Sequence, residues 1–172
     1  MEPIRLIVSD IDGTLVDKTE MIAPELIRAV KKCREAGIVF ALATGRTTEL
    51  VRPFIKKLEI DAPCIAGNGA YIIHGDKCLM EHGFSIKPVK EIIRRANDLK
   101  LTVTISTTEH ERALIETDYV REHKQFGDRF TRLLPFKEID WENGRFQKVM
   151  IMDESRSGVI EEFSKALEPM KE

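Results

Sequence analysis

The sequence predicts an α/β protein, with a parallel-strand core in its first half and a smaller α+β unit after it. Three observations carry this. Residues 4–9, rich in β-branched residues, and 38–43, a continuous apolar run, have the composition of buried strands. Between them Leu26, Ile27, Val30, Cys33 and Ala36 recur at helical spacing. A strand-helix-strand unit of this kind implies a parallel pair with a right-handed crossover. From about residue 81 the rhythm changes to helix, strand, strand, which suits a separate α+β unit.

The first strand ends in Asp10-Ile11-Asp12-Gly13-Thr14. In an open α/β sheet, ligands bind beyond the carboxyl ends of the strands. If the extended geometry persists, Asp10 and Asp12 point to one side. Two neighbouring anions are costly unless a cation joins them or one is protonated. A magnesium ion suits such a pair, because it takes oxygen ligands and often only one or two carboxylates. Gly13 permits a sharp turn or close approach of a ligand, and Thr14 can hydrogen-bond a carboxylate. Taken alone, the same residues also read as an acidic turn. A calcium loop fits poorly, lacking the third ligand position, the later glycine and the closing glutamate.

Residues 15–23 read as an irregular connection. Pro24 suits the first turn of a helix and Gly37 its end. The second strand ends at Ala43-Thr44-Gly45-Arg46, and Leu50, Val51, Phe54, Ile55 and Leu58 form the next helical pattern. Pro53 calls for a late start or a kink. A Thr-Gly pair at a strand-to-helix turn offers a hydroxyl and free N–H groups to a phosphate oxygen. By itself it reads equally as a capping threonine beside a turn glycine.

Considered together, the two strand ends resemble the haloacid dehalogenase-like (HAD) hydrolase superfamily, and within it the Cof-like phosphatases. Asp10 to Thr14 is similar to their D-x-D-G-T motif, and Ala43 to Arg46 to their A-T-G-R strand end. Ile65-Ala66-Gly67-Asn68-Gly69-Ala70 is similar to their N-G-A segment, and Asn68-Gly69 is also a hairpin-turn signal. The resemblance is specific to about residue 80. It implies a Rossmann-like core and hydrolysis of sugar phosphates and related small phosphate esters. It implies Asp10 as nucleophile and Mg²⁺ ligand, forming an aspartyl-phosphate. Asp12 would protonate the leaving alcohol and then activate water, its main-chain carbonyl on the metal. Thr44 and the Gly45 N–H would hold the phosphoryl group, with Arg46 and Asn68 bordering the substrate.

In the second half, helical patterns are expected over 86–99 and 159–167, and strands over 100–107, 112–117 and 146–152. The resemblance implies that residues 1–80 are the core and 81–172 an inserted cap that selects the substrate. Arg121, Lys124 and Arg129 are candidates to face the pocket, against the alternative of a solvated charged face. The family's later lysine and second acidic motif have no visible counterpart. Lys148 with Asp153 and Glu154 differs in spacing and lacks the glycine. The core is therefore expected to be incomplete at its C-terminal side, and the chain to be truncated and nearly inactive alone. A catalytically incomplete phosphate-binding or regulatory protein is the alternative. An open edge on the first strand would favour self-association or a partner chain.

Composition is that of an ordinary globular protein: 172 residues, 42% hydrophobic, 33% charged, formal net charge −2. No basic excess points to nucleic acid, and no apolar run or leader points to a membrane. A cytoplasmic protein is expected. Cys33, Cys64 and Cys78 lack metal-type spacing and read as small buried hydrophobes, and the four histidines are scattered.

Overall fold

The computed structural model describes residues 3–16, 21–124, 130 and 132–170. The chain forms two compact units, Met1–His82 and Gly83–Glu172. Arg129 lies outside the described residues.

In the first unit, strand β1 (Leu6–Ser9) leads to helix α1 (Pro24–Glu35) and strand β2 (Val39–Leu42). Pro24 opens α1 where no N–H is required. Gly37, at φ +77°, closes it. There the Ile38 N–H reaches back to the Cys33 carbonyl at 2.9 Å and the Gly37 N–H to Arg34 at 2.9 Å, a Schellman end. β1 and β2 are parallel, with Leu6 opposite Val39 and Ser9 opposite Leu42. Helix α2 (Thr48–Lys57) runs through Pro53, so the late start is not used. The helix instead forgoes the one hydrogen bond that the missing N–H would make.

Strand β3 (Cys64–Ala66) follows, joined in parallel to the end of β2 by the Ala43–Ile65 bridge. Strands β4 (Tyr71–His74) and β5 (Lys77–Glu81) continue from β3 as an antiparallel meander that the sequence reading did not assign. The β3–β4 turn is the Asn-Gly hairpin expected, with Asn68 in the left-handed region at φ 56°, ψ 35°. Ile11, Leu42, Val51, Cys64 and Tyr71 are fully buried in one core.

Two expectations need correction. β1 is not a buried strand: Leu6 is 55% and Val8 49% exposed. Only Ile7, on the opposite face, packs on the core. Among the described residues β1 pairs with β2 alone, so one edge and one face are uncovered. Nor are all cysteines buried. Cys64 is, with its thiol pushed up by burial, but Cys33 is half-buried and Cys78 lies exposed on β5.

In the second unit a 3₁₀ turn (Lys87–Val89) leads into α3 (Lys90–Asp98). Strand β6 (Thr102–Ser106) lies between β7 (Glu111–Ala113) and a later strand, β8 (Lys148–Met152), both antiparallel to it. β7 is shorter than expected because Thr117 is diverted to cap helix α4 (Asp118–His123), accepting the Val120 N–H. Helix α5 (Val159–Leu167) closes the unit, burying Phe163 with Ile93, Val103, Ile105 and Phe146.

The acids after β8 are structural. The Asp153 carboxylate accepts the main-chain N–H and hydroxyl of both Ser155 and Ser157. The Ser155 hydroxyl, then that of Ser157, hold it below the usual carboxylate range. Glu154 accepts from the Thr102 hydroxyl at 2.5 Å. Arg121 pairs with Asp118 at 2.6 Å and Lys124 with Glu116 at 2.6 Å.

Candidate active site

The site is assembled where three chain segments of the first unit end. Parallel pairing continues one step past the strands, with the Ala43 N–H on the Ser9 carbonyl at 2.9 Å. That register sets Asp10 level with Ala43, one residue before Thr44. β3 brings Asn68 to the same end. The Thr44 N–H donates to the Ile65 carbonyl and the Asn68 N–H to the Thr44 carbonyl, both at 3.0 Å.

Alternation survives beyond β1. Ile11 is completely buried while Asp10 and Asp12 are exposed on either side of it. The buried isoleucine anchors the acidic segment, and the next turn closes on it through the Leu15 and Val16 N–H groups, both on the Ile11 carbonyl. Gly13 makes that turn possible at φ +75°.

The two carboxylates have different surroundings. Asp10 has no side-chain partner among the described residues and faces solvent. Asp12 is gripped by Arg46, whose Nε donates to Oδ2 at 3.1 Å and Nη2 to Oδ1 at 2.7 Å. One cation thus gives the two acids of the motif different electrostatic surroundings. Thr44 is buried, and its Oγ1 accepts the Arg46 N–H at 3.2 Å. That leaves the hydroxyl proton available to a bound oxygen.

Gly45 sits under the Asn68 side chain. A methyl group there would lie 2.8 Å from Asn68 Oδ1. Gly45→Ala is therefore expected to displace the Asn68 amide, a flexible group, at a stability cost of about 1 kcal/mol or less. Because the displaced amide would obstruct the turn, any affinity of the turn for inorganic phosphate should fall about tenfold, equivalent to one charge-assisted hydrogen bond. Paired thermal melts and phosphate titrations check both numbers.

Tyr71 is a residue that the sequence reading missed. It is fully buried, and its hydroxyl donates to the Arg46 carbonyl at 3.2 Å. Its ring occupies the space that a side chain on Gly67 would need, 2.4 Å from a Cβ built there. The available signal was an aromatic residue two positions after a Gly-x-Gly turn, at the start of an unassigned strand.

The donor set fits a magnesium ion in part. Mg²⁺ commonly takes one or two carboxylates and keeps water or phosphate oxygens in its remaining positions. The exposed Asp10 carboxylate is a donor of the type that this ion takes. No group of three His, Cys, Asp or Glu side chains converges among the described residues, so no all-protein cage forms there. No helix among the described residues is long and apolar enough to cross a membrane.

Comparison with known proteins identifies the family of the chain. The family profile of the haloacid dehalogenase-like hydrolases matches residues 7–170. Pyridoxal phosphate phosphatase YbhA of Escherichia coli (strain K12) is 38% identical over 68 residues, 40% of this chain and 25% of that protein. The 5-amino-6-(5-phospho-D-ribitylamino)uracil phosphatase YwtE of Bacillus subtilis (strain 168) is 39% identical over 69 residues, 40% of this chain and 23% of that protein. The match thus spans about a quarter of each relative's length. A crystal structure of a haloacid dehalogenase-like hydrolase from Bacteroides thetaiotaomicron superposes with a TM-score of 0.76 at 20% identity, covering 98% of this chain and 65% of that one. With both strand-end motifs at one sheet edge and the profile spanning almost the whole chain, the protein belongs to the haloacid dehalogenase-like hydrolases, of the Cof-like kind.

Proposed function

We propose that the chain carries the nucleophile side of a cytoplasmic, magnesium-dependent phosphatase of small phosphate esters such as sugar phosphates. The observation that carries the reading is the register of β1 and β2, which sets an unpartnered Asp10 beside the Thr44–Gly45 turn. The names of the relatives support the substrate class, since both designate phosphatases of small phosphorylated organic molecules.

The reaction follows from the residues. An Asp10 carboxylate oxygen attacks phosphorus and the ester P–O bond breaks, leaving an aspartyl-phosphate. In its protonated form, with one oxygen released from the Arg46 fork, Asp12 delivers a proton to the departing alkoxide. As a carboxylate it then takes a proton from the water that attacks the aspartyl-phosphate, releasing inorganic phosphate. The Thr44 hydroxyl and Gly45 N–H hold the equatorial oxygens. Bound through Asp10 and the Asp12 carbonyl, magnesium would offset charge on the phosphoryl group.

Turnover by these 172 residues alone is slow in this reading. Among the described residues the cation at the site is Arg46, which is engaged with Asp12. A phosphate approaching Asp10 therefore meets little compensating positive charge. The same observation favours the second reading, a catalytically incomplete phosphate-binding protein. Colorimetric release of phosphate from small esters, with and without magnesium, separates the two. We assign the second unit, residues 83–172, the role of a substrate-selecting cap.

The exposed face of β1 adds an expectation about association. Ile4, Leu6 and Val8 project to one face, and Val39 stands opposite Leu6. An unpaired edge with an apolar face templates pairing. The purified chain should sediment as a dimer or larger species, and Leu6→Lys with Val8→Lys should return it to monomer. A monomeric wild type in analytical ultracentrifugation contradicts this.

A further inference from the structure

We infer that Arg46 is a positioning residue for the Asp12 carboxylate, rather than a contact to the substrate. The inference rests on the roles proposed above for Asp10 and Asp12. It differs from the family-based expectation that Arg46 borders the substrate.

Three features place Arg46 in this role. First, its two bonds to Asp12 are a fork-to-fork pair, one guanidinium nitrogen on each carboxylate oxygen. Such a pair fixes the plane of the carboxylate as well as its position, which a single bond does not. Second, the burial is asymmetric. The Arg46 side chain is 12% exposed and that of Asp12 60%. Its guanidinium lies over the Phe54 ring, 4.9 Å from the centroid. The buried, stacked partner is therefore the fixed one, and the exposed carboxylate takes its orientation from it.

Third, the main chain of residue 46 is pinned at both ends. Its N–H donates to Thr44 Oγ1, and its carbonyl accepts from the Gly67 N–H at 3.0 Å and the Tyr71 hydroxyl at 3.2 Å. One residue thus sets the Thr44 hydroxyl, the Asp12 carboxylate and the turn that carries Asn68. A side chain recruited to follow a substrate would be exposed and loosely held, and Arg46 is neither.

Removing the guanidinium should loosen the orientation of the Asp12 carboxylate while leaving the turn of residues 44–46 in place. A misplaced catalytic group costs on the order of 10²-fold. In single-turnover hydrolysis by the full chain, Arg46→Gln should lower the maximal rate by about that factor with little change in half-saturating substrate. Arg46→Lys, which keeps the charge but loses the fork, should stay slow. Asp12→Asn combined with Arg46→Gln should be no slower than Asp12→Asn alone, since the two act as one unit.

Inorganic phosphate, titrated with magnesium and followed at the Gly45 amide by NMR, gives a readout independent of turnover. Arg46→Gln should bind it within about twofold of wild type, an energy change below that of one hydrogen bond. A tenfold or greater loss of phosphate affinity, or an additive double variant, would overturn the inference while leaving the phosphatase reading intact. If Arg46→Gln loses its fold, the comparison of Asp12→Asn with wild type decides through the Arg46 side-chain Nε–H. That signal should become rapidly exchanging when its acceptor changes, and an unchanged signal contradicts the inference. A wild type that neither binds phosphate nor turns over overturns both readings.

Discussion

Asp10→Asn is expected to abolish whatever magnesium-dependent ester hydrolysis the chain performs, by a factor on the order of 10³ or more. Loss of the nucleophile in a covalent mechanism removes a whole reaction path, and in a well-studied protease it costs about 10⁶ in kcat. The smaller figure follows from the slow turnover proposed above for these 172 residues. Phosphoryl transfer depends on positioning and electrostatic stabilisation. Each preorganised donor that is lacking costs roughly 10²–10³. Asp12→Asn should differ in kind. Its loss should be about 10²–10⁴ for an alkyl phosphate and much smaller in the first step for an aryl phosphate, whose leaving oxygen needs no proton. Release of the alcohol or phenol in the first turnover, from both ester types and by the three proteins, checks this. Equal losses in both substrates would remove Asp12 from the acid role.

Tyr71→Ala is expected to destabilise the first unit by about 3–5 kcal/mol, the range for deleting a large buried aromatic. That is a large share of a typical domain stability of about 5–15 kcal/mol. Tyr71 is fully buried against Gly67, in the central strand of the β3–β4–β5 sheet. Tyr71→Phe should cost only about 1 kcal/mol, the net value of the lost bond to the Arg46 carbonyl. Denaturant melts of the two variants should therefore separate by several-fold in effect. If Phe and Ala cost the same, the hydroxyl rather than the ring carries the contribution.

The parts of this molecule that local pattern encodes were legible in the sequence. The β1–α1–β2 unit follows from two apolar runs around an amphipathic stripe, and the Asn68-Gly69 turn from a backbone that needs positive φ. Both strand-end motifs lie where an open sheet puts its chemistry. Other features depend on contacts distant in sequence. Apolar content made β1 read as buried, but burial needs a neighbour, and the described residues supply one on a single side. β5 is exposed along its length, so it has no hydrophobic alternation to detect. The end of β7 was lost to a capping threonine, a choice that helix and strand propensity do not decide. In the site, residue types pointed to Asp10, Asp12 and Thr44. The Asp12–Arg46 fork and the Tyr71 bond join residues 34 and 25 positions apart, and no spacing rule reports them.

Acid-quench trapping of the phosphorylated residue tests the assignment of Asp10 most directly. The chain is mixed with a small phosphate ester and magnesium, quenched, reduced with borohydride and mapped by mass spectrometry. An aspartyl-phosphate is reduced to homoserine, so the account predicts homoserine at position 10, absent without magnesium and absent in Asp10→Asn. Reduction at another acidic residue, or the same product in Asp10→Asn, would contradict it.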